Sequence, residues 1–267
     1  MKRQILWSAL SLIMICLYGC TGGKTENSIM VVGDTVAMAT ISLHDTASYF
    51  ITDNKKCNIS ADVEITYPKY YKDKECTEKL QKMYSTNVLN IISDSVSLAS
   101  AFPEFVDNLI NQYKESSTEV VEGVIESDYE PMSECNLQVK IYPVYNACGT
   151  LSICKEEVAL IDDNTPARLH FYNVFNLPEL KKLETSDIFP EEALSQVIEA
   201  LKTKLRSDLN VANDDELADM GYYNFDNLKV SENFYLTADS IVWNFLPREL
   251  SVLEEVKISL GKKDILY

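Results

Sequence analysis

The sequence predicts an α+β protein in which antiparallel sheets pack against amphipathic helices, arranged as two subdomains. Two patterns and one quantity predict it. Apolar residues alternate in the run Ile59, Ala61, Val63 and Ile65, as in a half-buried strand, and recur at helical spacing in the set Phe102, Phe105, Val106, Leu109 and Ile110. A hydrophobic content of 46%, with 15 Tyr and 9 Phe, provides enough core for a folded chain.

The elements follow in chain order. Lys2 and Arg3 open an apolar stretch from Ile5 to Leu17, and Tyr18-Gly19 then precede Cys20. This is the layout of a secretory signal with a lipid-modified cysteine at its cleavage point, and the stretch is too short to span a bilayer comfortably. Residues 1–19 therefore read as a lipoprotein signal peptide, with Cys20 as the lipid attachment site. Residues 20–50 read as a tether and first strand: Thr21 to Ser28 is rich in Gly, Thr and Asn, and Met30 to Phe50 alternates weakly.

Residues 51–130 form the expected N-terminal α+β subdomain. It begins with a strand over 58–67, ended by Tyr67-Pro68. Leu80, Met83, Tyr84, Val88, Ile91 and Ile92 then share one face of a helix over 73–93, and a second helix over 103–118 starts with Pro103 in its first turn. A strand over 120–127 closes this half.

Residues 131–267 form the expected C-terminal α+β subdomain. Strands over 136–145 and 150–161 flank Asn146-Ala147-Cys148-Gly149 as an antiparallel hairpin, and a third covers 168–176. A helix over 190–209 carries Leu194, Val197, Ile198, Leu201 and Leu205 on one face behind an acidic first turn that suits the helix dipole. Asn213 to Glu216 starts a short helical turn, and strands over 228–237, 240–246 and 254–260 end the chain.

Charge and motifs narrow the function. The formal charge is −17, and becomes −19 once the signal removes two basic residues and no acidic one. Such a surface repels phosphate backbones, so nucleic acid is excluded as a partner, and the sign favours cations or basic partners. Beyond Cys20 the cysteines Cys57, Cys76, Cys135, Cys148 and Cys154 include no CxxC pair, and only His44 and His170 are available to join them, so no metal site is expected. Five cysteines permit at most two disulfides. There is no Gly-x-Ser-x-Gly, no dinucleotide or phosphate-binding glycine loop and no His-Glu-x-x-His, so no cofactor and no catalytic residue is assigned. His170 has a bland explanation as a solvent-facing or hydrogen-bonded strand residue, and Asp162-Asp163-Asn164 and Asp214-Asp215-Glu216 read as turn and cap residues. The tyrosine clusters, including Tyr222 and Tyr223, suit either strand packing or stacking against a partner.

The tail carries the most specific pattern. Asn233-Phe234-Tyr235-Leu236-Thr237-Ala238-Asp239-Ser240-Ile241-Val242-Trp243-Asn244-Phe245, followed by Pro247-Arg248-Glu249-Leu250, resembles the ending "NFyLTddGivfyFnpYEia" of a family of extracytoplasmic domains. These domains occur in lysozyme-sensing anti-sigma factors of the RsiV type and in PdaC-like peptidoglycan deacetylases. Leu183-x-x-x-Asp187-Ile188-Phe189 is similar to the family's segment before its long helix, and Tyr145 to Ile153 to its hairpin. The family's Gly-Gly-Ala-His segment is replaced here by Asn164-Thr165-Pro166-Ala167-Arg168, so a ligand role of that loop does not transfer. The deacetylase catalytic domain has no counterpart.

The resemblance and the charge together imply a non-catalytic envelope lipoprotein. It is expected to be anchored through Cys20, on the periplasmic face of the outer membrane, and to bind a cell-wall glycan or a cationic protein such as lysozyme. Tyr222, Tyr223, Asn233 and Tyr235 are the candidate partner-binding residues. Two alternatives stay open: a carbohydrate-active hydrolase using a carboxylate pair among the 41 acidic residues, and a structural envelope lipoprotein.

Overall fold

The computed structural model describes residues 35–52, 55–92, 97–123, 134–161, 167–225, 228–251 and 254–265. The signal segment, Cys20, the tether and Asp162 to Pro166 lie outside these. The described chain is α+β, with two sheets and a set of helices.

The first sheet has six strands in sequence order: β1 (Ala37–Thr52), β2 (Lys55–Tyr70), β3 (Glu134–Ala147), β4 (Thr150–Ile161), β5 (Ala167–Asn176) and the short β6 (Lys181–Leu183). Alternation decides its faces. Cys57, Ile59, Ala61, Val63 and Ile65 of β2 and Cys135, Leu137, Val139 and Ile141 of β3 are buried, while Asn58, Asp62, Glu64, Asn136, Gln138 and Lys140 point to the opposite face. Helices α1 (Lys74–Asn87) and α2 (Leu98–Gly123) cover the apolar face through Leu80, Tyr84, Phe102, Phe105, Val106 and Leu109. Asp73 caps α1 by accepting the Cys76 N–H at 2.8 Å.

The expected antiparallel sheets are present, and one ladder within them is parallel: β2 pairs with β3 with Ile59 opposite Cys135 through Ile65 opposite Ile141. The physical reason is the intervening pair of helices, which crosses the sheet face and returns the chain in the same direction. Strands from both sides of residue 131 thus share one sheet.

Helix ends also differ from the periodic reading. The first helix stops at Asn87 instead of reaching 93, because Asn90 takes a left-handed backbone (φ 55) and the Ile91 N–H returns to the Ser85 carbonyl at 3.0 Å. Ile91 is buried, but Ile92 is turned outward and 91% exposed. The second helix begins at Leu98, so Pro103 lies inside it, and Ser97 opens the first turn by accepting from the Ser100 and Ala101 N–H groups. The strand expected over 120–127 is overturned as far as Gly123: the helix carries Val120 and Val121 with it, against their strand preference. Residues 124–127 lie outside the described ones.

The β3–β4 hairpin turns at Cys148-Gly149, both at positive φ (51 and 72), the geometry of a two-residue primed turn. A Cβ added at Gly149 would lie 3.1 Å from the Pro178 ring.

The second sheet, β7 (Phe234–Leu236), β8 (Ser240–Phe245) and β9 (Val256–Gly261), is antiparallel. It packs with α3 (Thr185–Ile188), a 3₁₀ turn over 191–193, α4 (Leu194–Leu209), α5 (Asp214–Asp219) and α6 (Lys262–Ile265) around a second core of Val197, Leu201, Leu205, Leu217, Phe234, Trp243 and Ile258. The strand expected over 228–237 shrinks to three residues. The preceding segment turns away from the ladder, its Asn233 N–H bonding to Ser231 Oγ at 3.1 Å. Ser152 on β4 joins the two sheets, since its buried hydroxyl donates to the Leu236 carbonyl (3.0 Å) and accepts the Leu236 N–H (3.2 Å).

Candidate functional site

The free edge of β5 organises the junction between the sheets. β6 pairs only with Val174 to Asn176, which leaves the His170 and Tyr172 backbone groups without a strand neighbour on that side. Side chains take over. Asn233 Oδ1 accepts the Tyr172 N–H at 2.7 Å, and Asn233 Nδ2 donates to the His170 carbonyl at 2.9 Å, as a neighbouring peptide group would. Asn244 Nδ2 donates to the same carbonyl at 2.9 Å and to Glu255 Oε1 at 3.2 Å. Glu255 Oε1 accepts the His170 N–H, and Glu255 Oε2 meets His170 Nδ1, both at 2.6 Å. The side chains of His170 and Glu255 are 16% and 11% exposed, so this pair is largely removed from water. Among the described residues no Ser, Thr or Cys side chain bonds to the imidazole.

Below this edge, Cys154, Tyr172 and Tyr235 pack where the sheets meet. The Tyr172 and Tyr235 rings lie 4.6 Å apart. Burial pushes the Cys154 thiol and the Tyr172 and Tyr235 hydroxyls above their ordinary pKa values, so all three stay neutral near pH 7. Cys76, Cys148 and Cys154 are free thiols.

The predicted residues thus divide. Asn233 and Tyr235 come together at β7, one as a backbone surrogate and one as a packing ring. Tyr222 and Tyr223 belong to a separate loop tied to the segment after β8: the Tyr223 N–H bonds to the Leu250 carbonyl at 3.0 Å, and Tyr222 forms a bridge with Ser251.

A cavity of about 450 Å³ opens beside the β5 edge. Asn87 and Asn90 reach it from the end of α1, Gln112 from α2, Asn173 from β5 and Asn233 from the lead into β7. Phe171 supplies an aromatic wall, with Lys155 Nζ 4.9 Å from its ring centre and bonded to Glu157 at 2.8 Å. Neither Tyr222 nor Tyr223 lines it. Sequence reasoning reached only Asn233 of this set. The other amides come from distant segments, and no local spacing links them. Among the described residues no group of three or more His, Cys, Asp or Glu gathers to hold a metal ion.

The fold and this junction define an α+β class already represented among solved structures. Residues 186–251, from α3 to just past β8, match a family described as a protein of unknown function (DUF3298). A DUF3298 family member from Bacteroides fragilis NCTC 9343 is similar in structure with a TM-score of 0.68 at 16% identity, over 88% of this chain and 94% of that one. A second, from Pseudomonas aeruginosa PAO1, has a TM-score of 0.52 at 11% identity, over 88% and 95%. At these identities the likeness is one of fold. No curated protein matches the chain.

Proposed function

We propose that this chain is a non-catalytic binding protein of the bacterial cell envelope, of the RsiV-type and PdaC-type extracytoplasmic class, and that it takes a cell-wall glycan in the carboxamide-lined cavity. The observation that carries this reading is the wall of that cavity: Asn87, Asn90, Gln112 and Asn173, carboxamides from three separate segments beside the face of Phe171, with the Asn233 amide already committed to the β5 edge. A carboxamide donates and accepts at once, which matches sugar hydroxyls and acetamido groups, and an aromatic face suits the C–H side of a pyranose ring. The cavity's two carboxylates are already engaged. Glu157 pairs with Lys155, and Glu232 accepts the Thr185 N–H at 2.9 Å, an arrangement that favours holding a sugar over hydrolysing it.

Anchoring completes the reading. A lipid on Cys20 holds the protein at the membrane, on the periplasmic face of the outer membrane, within reach of peptidoglycan. Calorimetry of the full chain in detergent against an N-acetylglucosamine tetrasaccharide is expected to give saturable binding. Asn173→Ala, which removes an amide with no hydrogen-bond partner among the described residues, is expected to weaken it about tenfold. No saturable binding, or release of shorter sugars, defeats the proposal.

One observation favours a cationic protein as a second ligand class: the formal charge of −17, which steers basic partners toward the surface. Lysozyme binding that weakens steeply with salt, and survives Asn173→Ala, would select this reading.

A further inference from the structure

A second cavity, of about 500 Å³, lies between the segment leading into β7 and the turn after β8. Leu228 and Phe245, both buried, form apolar wall, and Lys229 and Arg248 supply two cations. Among the described residues neither cation makes an ion pair or a side-chain hydrogen bond. The two carboxylates lining the cavity are turned to backbone groups instead: Glu249 Oε2 accepts the Leu246 N–H at 2.6 Å, and Glu232 Oε2 accepts the Thr185 N–H.

Arg248 is also held in a left-handed backbone conformation (φ 75), which costs a residue with a Cβ. The turn fixes it there through the Arg248 N–H, which donates to the Ser251 carbonyl at 2.6 Å. A guanidinium with no ion-pair partner among the described residues, carried on a backbone held at positive φ beside apolar wall, is arranged for an anion that comes from outside the chain. Glu232 lines this cavity and the carboxamide cavity alike, so the two cavities adjoin at that residue.

We infer that the two cavities adjoining at Glu232 together bind a saccharide bearing a free carboxylate, its hydroxyl and acetamido groups in the carboxamide cavity and its carboxylate on Lys229 and Arg248. This inference rests on the glycan reading above and adds the charge of the ligand. Arg248 matches a carboxylate with two parallel N–H bonds, and Lys229 adds a point charge.

The test is calorimetry of the full chain with three probes: the neutral N-acetylglucosamine tetrasaccharide, N-acetylmuramic acid with its lactyl carboxylate free, and the methyl ester of N-acetylmuramic acid. The free acid is expected to bind about tenfold more tightly than the ester. Lys229→Gln combined with Arg248→Gln is expected to abolish that difference and leave tetrasaccharide binding unchanged; both sites are exposed, and an unchanged melting temperature verifies the fold. Equal binding of acid and ester, or a preference that persists in the double variant, overturns the anionic subsite while the glycan reading stands. Absence of tetrasaccharide binding together with a preference for the acid that the double variant removes overturns the neutral-sugar role of the carboxamide cavity and supports the subsite.

Discussion

Replacing Asn233 by Ala tests whether a side chain serves as a missing strand at the β5 edge. The truncation removes the 2.7 Å bond from the Tyr172 N–H and the 2.9 Å bond to the His170 carbonyl. The two losses are unequal. The His170 carbonyl keeps Asn244 as a donor, whereas the Tyr172 N–H has no replacement acceptor in the sheet. Orphaning one such donor and losing a second bond gives an expected destabilisation of about 2–3 kcal/mol. For a chain of this size that lowers the melting temperature by roughly 4–12 °C.

The shared acceptor makes a stronger test. Asn244→Ala alone leaves the His170 carbonyl with Asn233, but the double variant leaves it with neither, so the combined loss should exceed the sum of the single losses by about 1 kcal/mol. Urea unfolding followed by the fluorescence of Trp243, 1% exposed in the second core, reads all four proteins. An Asn233→Ala stability within about 0.5 kcal/mol of the parent, or strict additivity in the cycle, would refute the reasoning.

Other expectations concern separate parts of the fold. Gly149→Ala forces a Cβ onto a φ of +72 and to within 3.1 Å of Pro178, and should cost about 1–2 kcal/mol in urea unfolding; an unchanged midpoint contradicts the hairpin geometry. Lys181, hydrogen-bonded to Asp187, together with the Glu184 N–H, holds the Asp187 carboxyl below its ordinary 3.8. Because the folded pKa is the lower one, this contribution is present above the unfolded value and disappears as pH falls through the folded one. The stability gap between the parent and Asp187→Asn should therefore be widest at neutral pH and close below about pH 4, and a constant gap would count against it. In thiol titration with a chromogenic disulfide, Cys148 should react in the native protein while Cys154 waits for denaturant. Rapid native labelling of Cys154 would contradict its burial.

Much of the fold was legible where one rule acted alone. The alternation through Ile59 to Ile65 and through Cys135 to Ile141 marks strands buried on one face, and Cys148-Gly149 marks the hairpin. Legibility failed where two rules competed. Val120 and Val121 prefer strands but continue a long amphipathic helix, and Ile92 fits the helical face but follows the left-handed Asn90. The parallel β2–β3 ladder could not be read, because strand patterning carries no direction. For the site, the tail motif pointed at Asn233 but not at its work, since a backbone surrogate needs a strand edge that only tertiary structure provides. Glu255 and the other amides of the cavity had no local signature, and Asn244, though inside the tail pattern, was not marked out by it.

The parallel ladder has a consequence for how the chain reaches its native state. β1 with β2, and β3 with β4 and β5, each close between segments adjacent in sequence. The seam that joins these two groups must wait until α1 and α2 have been laid across the sheet face, and closing so long a loop carries an entropic penalty that near-neighbour contacts do not offset. The expected refolding order is two early hairpin-type nuclei and one late fusion event, with the rows from Ile59–Cys135 to Ile65–Ile141 the last to zip together.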